Sequence, residues 1–75
     1  MSVYRICQSG NMGRDQREFQ QKLSAFDSFK SSGHAYSDFL GEMEINTLED
    51  VLAVIRTVGY SVAVSNYNIL QILNK

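Results

Sequence analysis

The chain has 75 residues, 44% of them hydrophobic and 20% charged, and carries a formal net charge of −1 at pH 7. A length of this order builds one domain around one modest core, burying about 60–65% of the surface its unfolded chain exposes, so wide clefts and multi-part active sites are not expected. The near-neutral balance excludes the global basic field that binds nucleic acid by releasing counterions, and the single cysteine excludes an intramolecular disulfide and suits a reducing compartment.

No apolar run approaches the roughly 20 residues of a membrane span, and the first residues lack a basic-then-apolar leader, so a cytoplasmic protein with no membrane partner is expected. In chain order, residues Ser2 to Gln8 suit a first strand, with Val3, Tyr4, Ile6 and Cys7 around Arg5. Ser9-Gly10-Asn11-Met12-Gly13 then breaks it with two glycines and an asparagine. A helix is expected from Asp15 to near Lys30. Asp15 and Glu18 have capping-box spacing, and Phe19, Leu23 and Phe26 step by four and three.

The span from His34 to Glu44 reads as leading into a strand over Phe39 to Ile45, with Phe39, Gly41, Met43 and Ile45 on one face and Leu40, Glu42 and Glu44 on the other. A helix continuing through Tyr36 to Leu40 is the competing reading. Next comes the clearest local signal in the chain, a helix capped by Thr47 or Asn46, with Glu49 and Asp50 suited to its positive end. Leu48, Val51, Leu52, Ile55 and Val58 make its apolar stripe, and Gly59 stands where a left-handed residue ends a helix. Tyr60, Val62 and Val64 alternate with Ser61, Ala63 and Ser65 as a half-buried strand does. Asn66-Tyr67-Asn68 suits a hairpin loop, and Ile69 to Leu73 the returning strand. The expected order is β-α-β-α-β-β, an α+β two-layer sandwich with a small mixed sheet of about four strands and two helices on one face.

The segment I-N-T-L-E-D-V-L-A-V-I-R-T-V-G with its following alternating strand resembles short α+β proteins encoded by bacteriophages and prophages. The resemblance covers roughly residues 44–73 and implies a phage or prophage protein working in a bacterial cytosol. Separately, Val3 to Arg14 looks like the strand–loop–helix of low-molecular-weight tyrosine phosphatases and arsenate reductases, where a strand-end cysteine and an arginine with five residues between them hold a phosphate. Such chemistry needs backbone N–H groups that depress the thiol pKa and an arginine forked onto the oxygens. Here six residues separate Cys7 from Arg14, no proline follows the arginine, and the chain is about half the length that fold needs. Catalysis through Cys7 therefore ranks last.

A non-catalytic version, in which Ser9, Gly10, Asn11, Gly13 and Arg14 cradle an anion or nucleotide, is the alternative to the main reading. Cys7, His34 and Asp38 hold the residue types of a thiol hydrolase without a second histidine, and one Cys and one His make no metal site. No catalytic residue and no cofactor is expected. Charge distribution points instead to binding. In residues 1–30 Arg5, Arg14, Arg17, Lys22 and Lys30 outnumber Asp15, Glu18 and Asp27, whereas residues 31–50 hold Asp38, Glu42, Glu44, Glu49 and Asp50 and no Lys or Arg. Such an acidic stretch, with Tyr36 and Phe39 flanking Asp38, suits a protein target with a basic surface. Asp38, Glu42 and Glu44 are the expected charged contacts, with Tyr36 and Tyr67 as aromatic anchors. The nearly continuous apolar run Ile69-Leu70-Gln71-Ile72-Leu73 is more than one buried face absorbs, so either the sheet is covered on both sides or this strand pairs at an edge, in a homodimer or by adding to a strand of a target.

Overall fold

The computed structural model describes residues 2–9 and 16–73. Along them run β1 (Val3–Gln8), α1 (Arg17–Leu23), β2 (Lys30–Ser31), β3 (Phe39–Glu44), α2 (Leu48–Val58), β4 (Ser61–Val64) and β5 (Ile69–Leu73). The strands form one sheet in the order β2-β3-β1-β5-β4. β1 pairs parallel to β5, and the other neighbours pair antiparallel. The two helices pack on each other and on the same face of this mixed sheet. The α+β expectation holds, with five strands in place of four. The added one is β2, whose two residues pair with Glu42 and Gly41 and are too few to show any period in sequence.

α2 forms where local chemistry asks for it. Thr47 Oγ1 accepts from the Asp50 N–H at 3.3 Å, while Asp50 Oδ2 accepts from the N–H groups of Thr47 and Asn46 at 3.1 and 2.8 Å. This reciprocal pair satisfies donors that the first helical turn leaves open. Asn46 has other work: its side-chain oxygen accepts from the Ser2 N–H at 2.9 Å and ties the start of β1 to the start of α2. Gly59 closes the helix at φ 73°, donating its N–H to the Ile55 carbonyl. The buried stripe, however, is rotated from the expected one. Val54 and Val58 are fully buried with Val51 packed beside them, while Leu48 is 72% exposed and Leu52 lies at the surface. Val51, Val54 and Val58 keep helical spacing, so the core takes the valine side of α2 and leaves the leucine side out.

α1 is shorter than the spacing of its phenylalanines suggests. Its end at Leu23 is followed by turns over residues 24–28 that carry Phe26 and Phe29 to the rim of the core. The capping role expected of Asp15 lies outside the described residues; Gln16 stands at the N-cap and makes no side-chain cap bond. Gln20 secures the helix by tertiary contacts, its Nε2 donating to the carbonyls of His34 and Leu40 and to Ser32 Oγ at 3.0–3.4 Å.

β3 breaks the simple alternation read from its sequence. Tyr4, Arg5 and Ile6 oppose Met43, Glu42 and Gly41, but Cys7 opposes Phe39, so Leu40 is an extra residue in a bulge. The bulge turns Leu40 into the core, where it is fully buried, and swings Phe39 to the face away from the helices. Glycine at 41 answers a close approach: a Cβ there would run into the Lys30 carbonyl oxygen and lie 2.8 Å from the Phe29 ring. The β4–β5 loop turns with Asn68 at φ 55°, as expected of an asparagine, and Ser65 N–H donates to the Ile69 carbonyl at 3.0 Å. β5 lies inside the sheet, with β1 on one side and β4 on the other, so the expected homodimer through Ile69–Leu73 has no free strand edge to form on. Its apolar excess is divided instead: Leu70 and Ile72 are buried under the helices, and Ile69 and Leu73 are half-buried on the opposite face.

Candidate functional site

The helices cover one face of the sheet and leave the other bare. Strand alternation places Val3, Arg5 and Cys7 of β1, Glu42 and Glu44 of β3, Lys30 of β2, and Ile69, Gln71 and Leu73 of β5 on that bare face. The bulge adds Phe39, over whose ring the Arg5 guanidinium sits at 5.0 Å from the centroid, a cation–π contact. One row crosses four strands in register: Lys30, Glu42, Arg5, Ile69. Below it half-buried Phe39, Cys7 and Gln71 lie side by side. Among the described residues, Arg5, Lys30, Glu42 and Glu44 form no ion pair; the pair present is Lys22–Glu18 on α1, at 3.5 Å.

Glu42 is exposed at the centre of the charged row, and Glu44 stands two residues on, opposite Val3, with its N–H donating to Ser28 Oγ. Both line a shallow hollow of about 170 Å³ shared with Val3, Ser28, Lys30 and Met43. The expected anchors do not gather around them. Tyr36 stands 65% exposed in the loop before β3, at the end of the sheet where β1 finishes. Tyr67, 85% exposed, tips the β4–β5 loop at the end where β1 begins. A six-residue strand separates these ends by roughly 20 Å. Asp38 is exposed beside Cys7, and its carbonyl accepts the Gln8 N–H at 2.8 Å.

The acidity of residues 31–50 is also diluted by the fold. Asp50 is committed to the α2 cap, Glu49 sits in the first turn of α2, and Lys30 and Arg5 arrive from distant parts of the chain on either side of Glu42. The face is thus mixed in sign. Arg5 and Lys30 are the charged members of it that linear reading missed. The signal for Arg5 was present, since an arginine between apolar residues of a strand faces outward; the signal for Lys30 was not, because a two-residue strand shows no period, and the face that Phe39 takes is set by the bulge alone.

Of the expected anion loop, Gly10, Asn11, Gly13 and Arg14 lie outside the described residues. Ser9 is described, and its backbone N–H is spent on the Ile72 carbonyl at 2.9 Å, extending the β1–β5 ladder. Burial pushes the Cys7 thiol pKa up; neighbouring Arg5 acts against that rise and Asp38 adds to it. A nucleophilic cysteine needs the opposite shift. His34 is exposed in the loop after β2, and among the described residues no group of three His, Cys, Asp or Glu is placed to hold a metal ion. No helix among them is long and apolar enough to cross a membrane. No family model, curated protein or solved structure matches the chain.

Proposed function

We propose that this is a small non-enzymatic binding protein, an accessory or inhibitor protein of phage or prophage origin that engages a host protein in the bacterial cytosol through the bare face of its sheet. The observation that carries the reading is the charged row Lys30–Glu42–Arg5 beside half-buried Phe39, Ile69 and Leu73, a surface that neither helix covers. Such a face offers what a protein interface uses: apolar and aromatic area at its middle, and charges that select register and partner. Glu42 and Glu44 supply attraction to a basic patch, while Arg5 and Lys30 require an acidic group on the partner beside it. The origin rests on the likeness of residues 44–73 to phage-encoded proteins.

The test is capture from bacterial lysate by the wild type and by the double variant Glu42→Lys/Glu44→Lys, read by mass spectrometry. Loss of a captured protein with an unchanged melting temperature supports the reading. A variant that loses stability alone would make both glutamates scaffold.

A further inference from the structure

The side of the molecule at β4 is unlike the rest of its surface. Residues 59–74, from Gly59 through β4 and β5 to Asn74, contain no charged side chain. β4 is an edge strand, paired with β5 alone, without a proline or a bulge and without the inward lysine that commonly blunts an edge. The Ser65 N–H bond to Ile69 fixes the alternation, so Ser61 and Ala63 turn their backbone groups to β5 and Val62 and Val64 turn theirs outward. Directly above this edge lies the leucine side of α2. Leu48 and Val51 share a groove with Val64, and Leu52 follows Leu48 by one helical turn on the same stripe. Val64 is 49% exposed. An open strand edge and an exposed apolar helix flank therefore run alongside each other.

We infer that a second copy of this chain docks here, its β4 adding antiparallel to β4 so that the two sheets join and the two α2 helices lie antiparallel across a two-fold axis. Charge selects the copy over a foreign strand. An uncharged edge meets itself without repulsion, and α2 carries exposed Glu49 near its start and Arg56 near its end, on the solvent side of the leucine stripe. An antiparallel helix pair brings Glu49 of each copy toward Arg56 of the other, twice by symmetry. Leu48 and Leu52, unexplained by the core of one chain, become covered. The surface is distinct from the bare sheet face, so the dimer would present two copies of that face side by side.

The experiment is light-scattering mass measurement on the full chain across concentration, up to about 1 mM. The wild type should move toward twice the 8.5 kDa chain mass. Leu48→Glu, at an exposed position where an acid suits the helix start, should return it to monomer without lowering the melting temperature. Glu49→Arg or Arg56→Glu alone should weaken the dimer about tenfold, and the two together should restore it, since the swap rebuilds the same pairing. A monomeric wild type at the highest concentration, or a dimer indifferent to Leu48→Glu, overturns the inference. So does a double swap as weak as either single change.

Discussion

The two helices of this protein are specified in different ways. α2 is written locally: Thr47 and Asp50 cap it reciprocally, Gly59 closes it in the left-handed conformation, and each signal lies within a few residues of the bond it makes. α1 has no side-chain cap at Gln16, ends after seven residues, and is secured by Gln20 reaching twelve to twenty residues along the chain to Ser32, His34 and Leu40. A local signal predicts where a helix starts and stops. A helix secured by distant contacts reveals its limits only once the fold is assembled, because the partners are not its neighbours in sequence.

The largest expected effect falls on the region that depends on context. Gly41→Ala would drive a methyl into the Lys30 carbonyl and the Phe29 ring, displacing β2 from β3, and should cost about 2–4 kcal/mol in denaturant unfolding. A cost below about 0.5 kcal/mol would mean that β2 pairs more loosely than described. Next comes the register of α2. Val54→Ala should cost about 2 kcal/mol by emptying buried volume, whereas Leu52→Ala at the surface should lie within about 0.5 kcal/mol of the wild type. The reverse order would rotate the helix back to the stripe read from sequence. The smallest contrast bears on the caps themselves. Thr47→Ala should cost about 1 kcal/mol and lower amide protection in the first turn of α2 alone. Gln20→Ala should cost a similar amount but lower protection in residues 32–40 as well, because its bonds end there.

The legible parts of the fold were those with local chemistry: β1, the Thr47 cap, Gly59, the alternation of β4 and the Asn68 turn. Residues that depend on non-local pairing were not. Leu40 and Phe39 exchange faces because of one extra residue in β3, which no period-2 reading can place. The leucines of α2 outrank its valines in size, yet the core accepts Val54 and Val58, since the helix lies where the β3 and β4 connections put it. The candidate site divides in the same way. Glu42 and Glu44 could be named from the charge run, but the cations beside Glu42 come from β1 and β2 and become its neighbours only through the sheet. Tyr36 and Tyr67, close to acidic or loop signals in sequence, stand at opposite ends of the molecule.

The central claim, that the bare face of the sheet is the binding surface, is tested most directly by comparing lysate capture on its two faces. The wild type, Glu42→Lys/Glu44→Lys on the bare face and Gln21→Lys on the exposed side of α1 are immobilised at equal density, and the retained proteins are quantified. One host protein retained by the wild type and by Gln21→Lys, and lost at least tenfold by the bare-face variant, is the predicted result. Equal retention by all three, or loss on the helix-face variant instead, would contradict it.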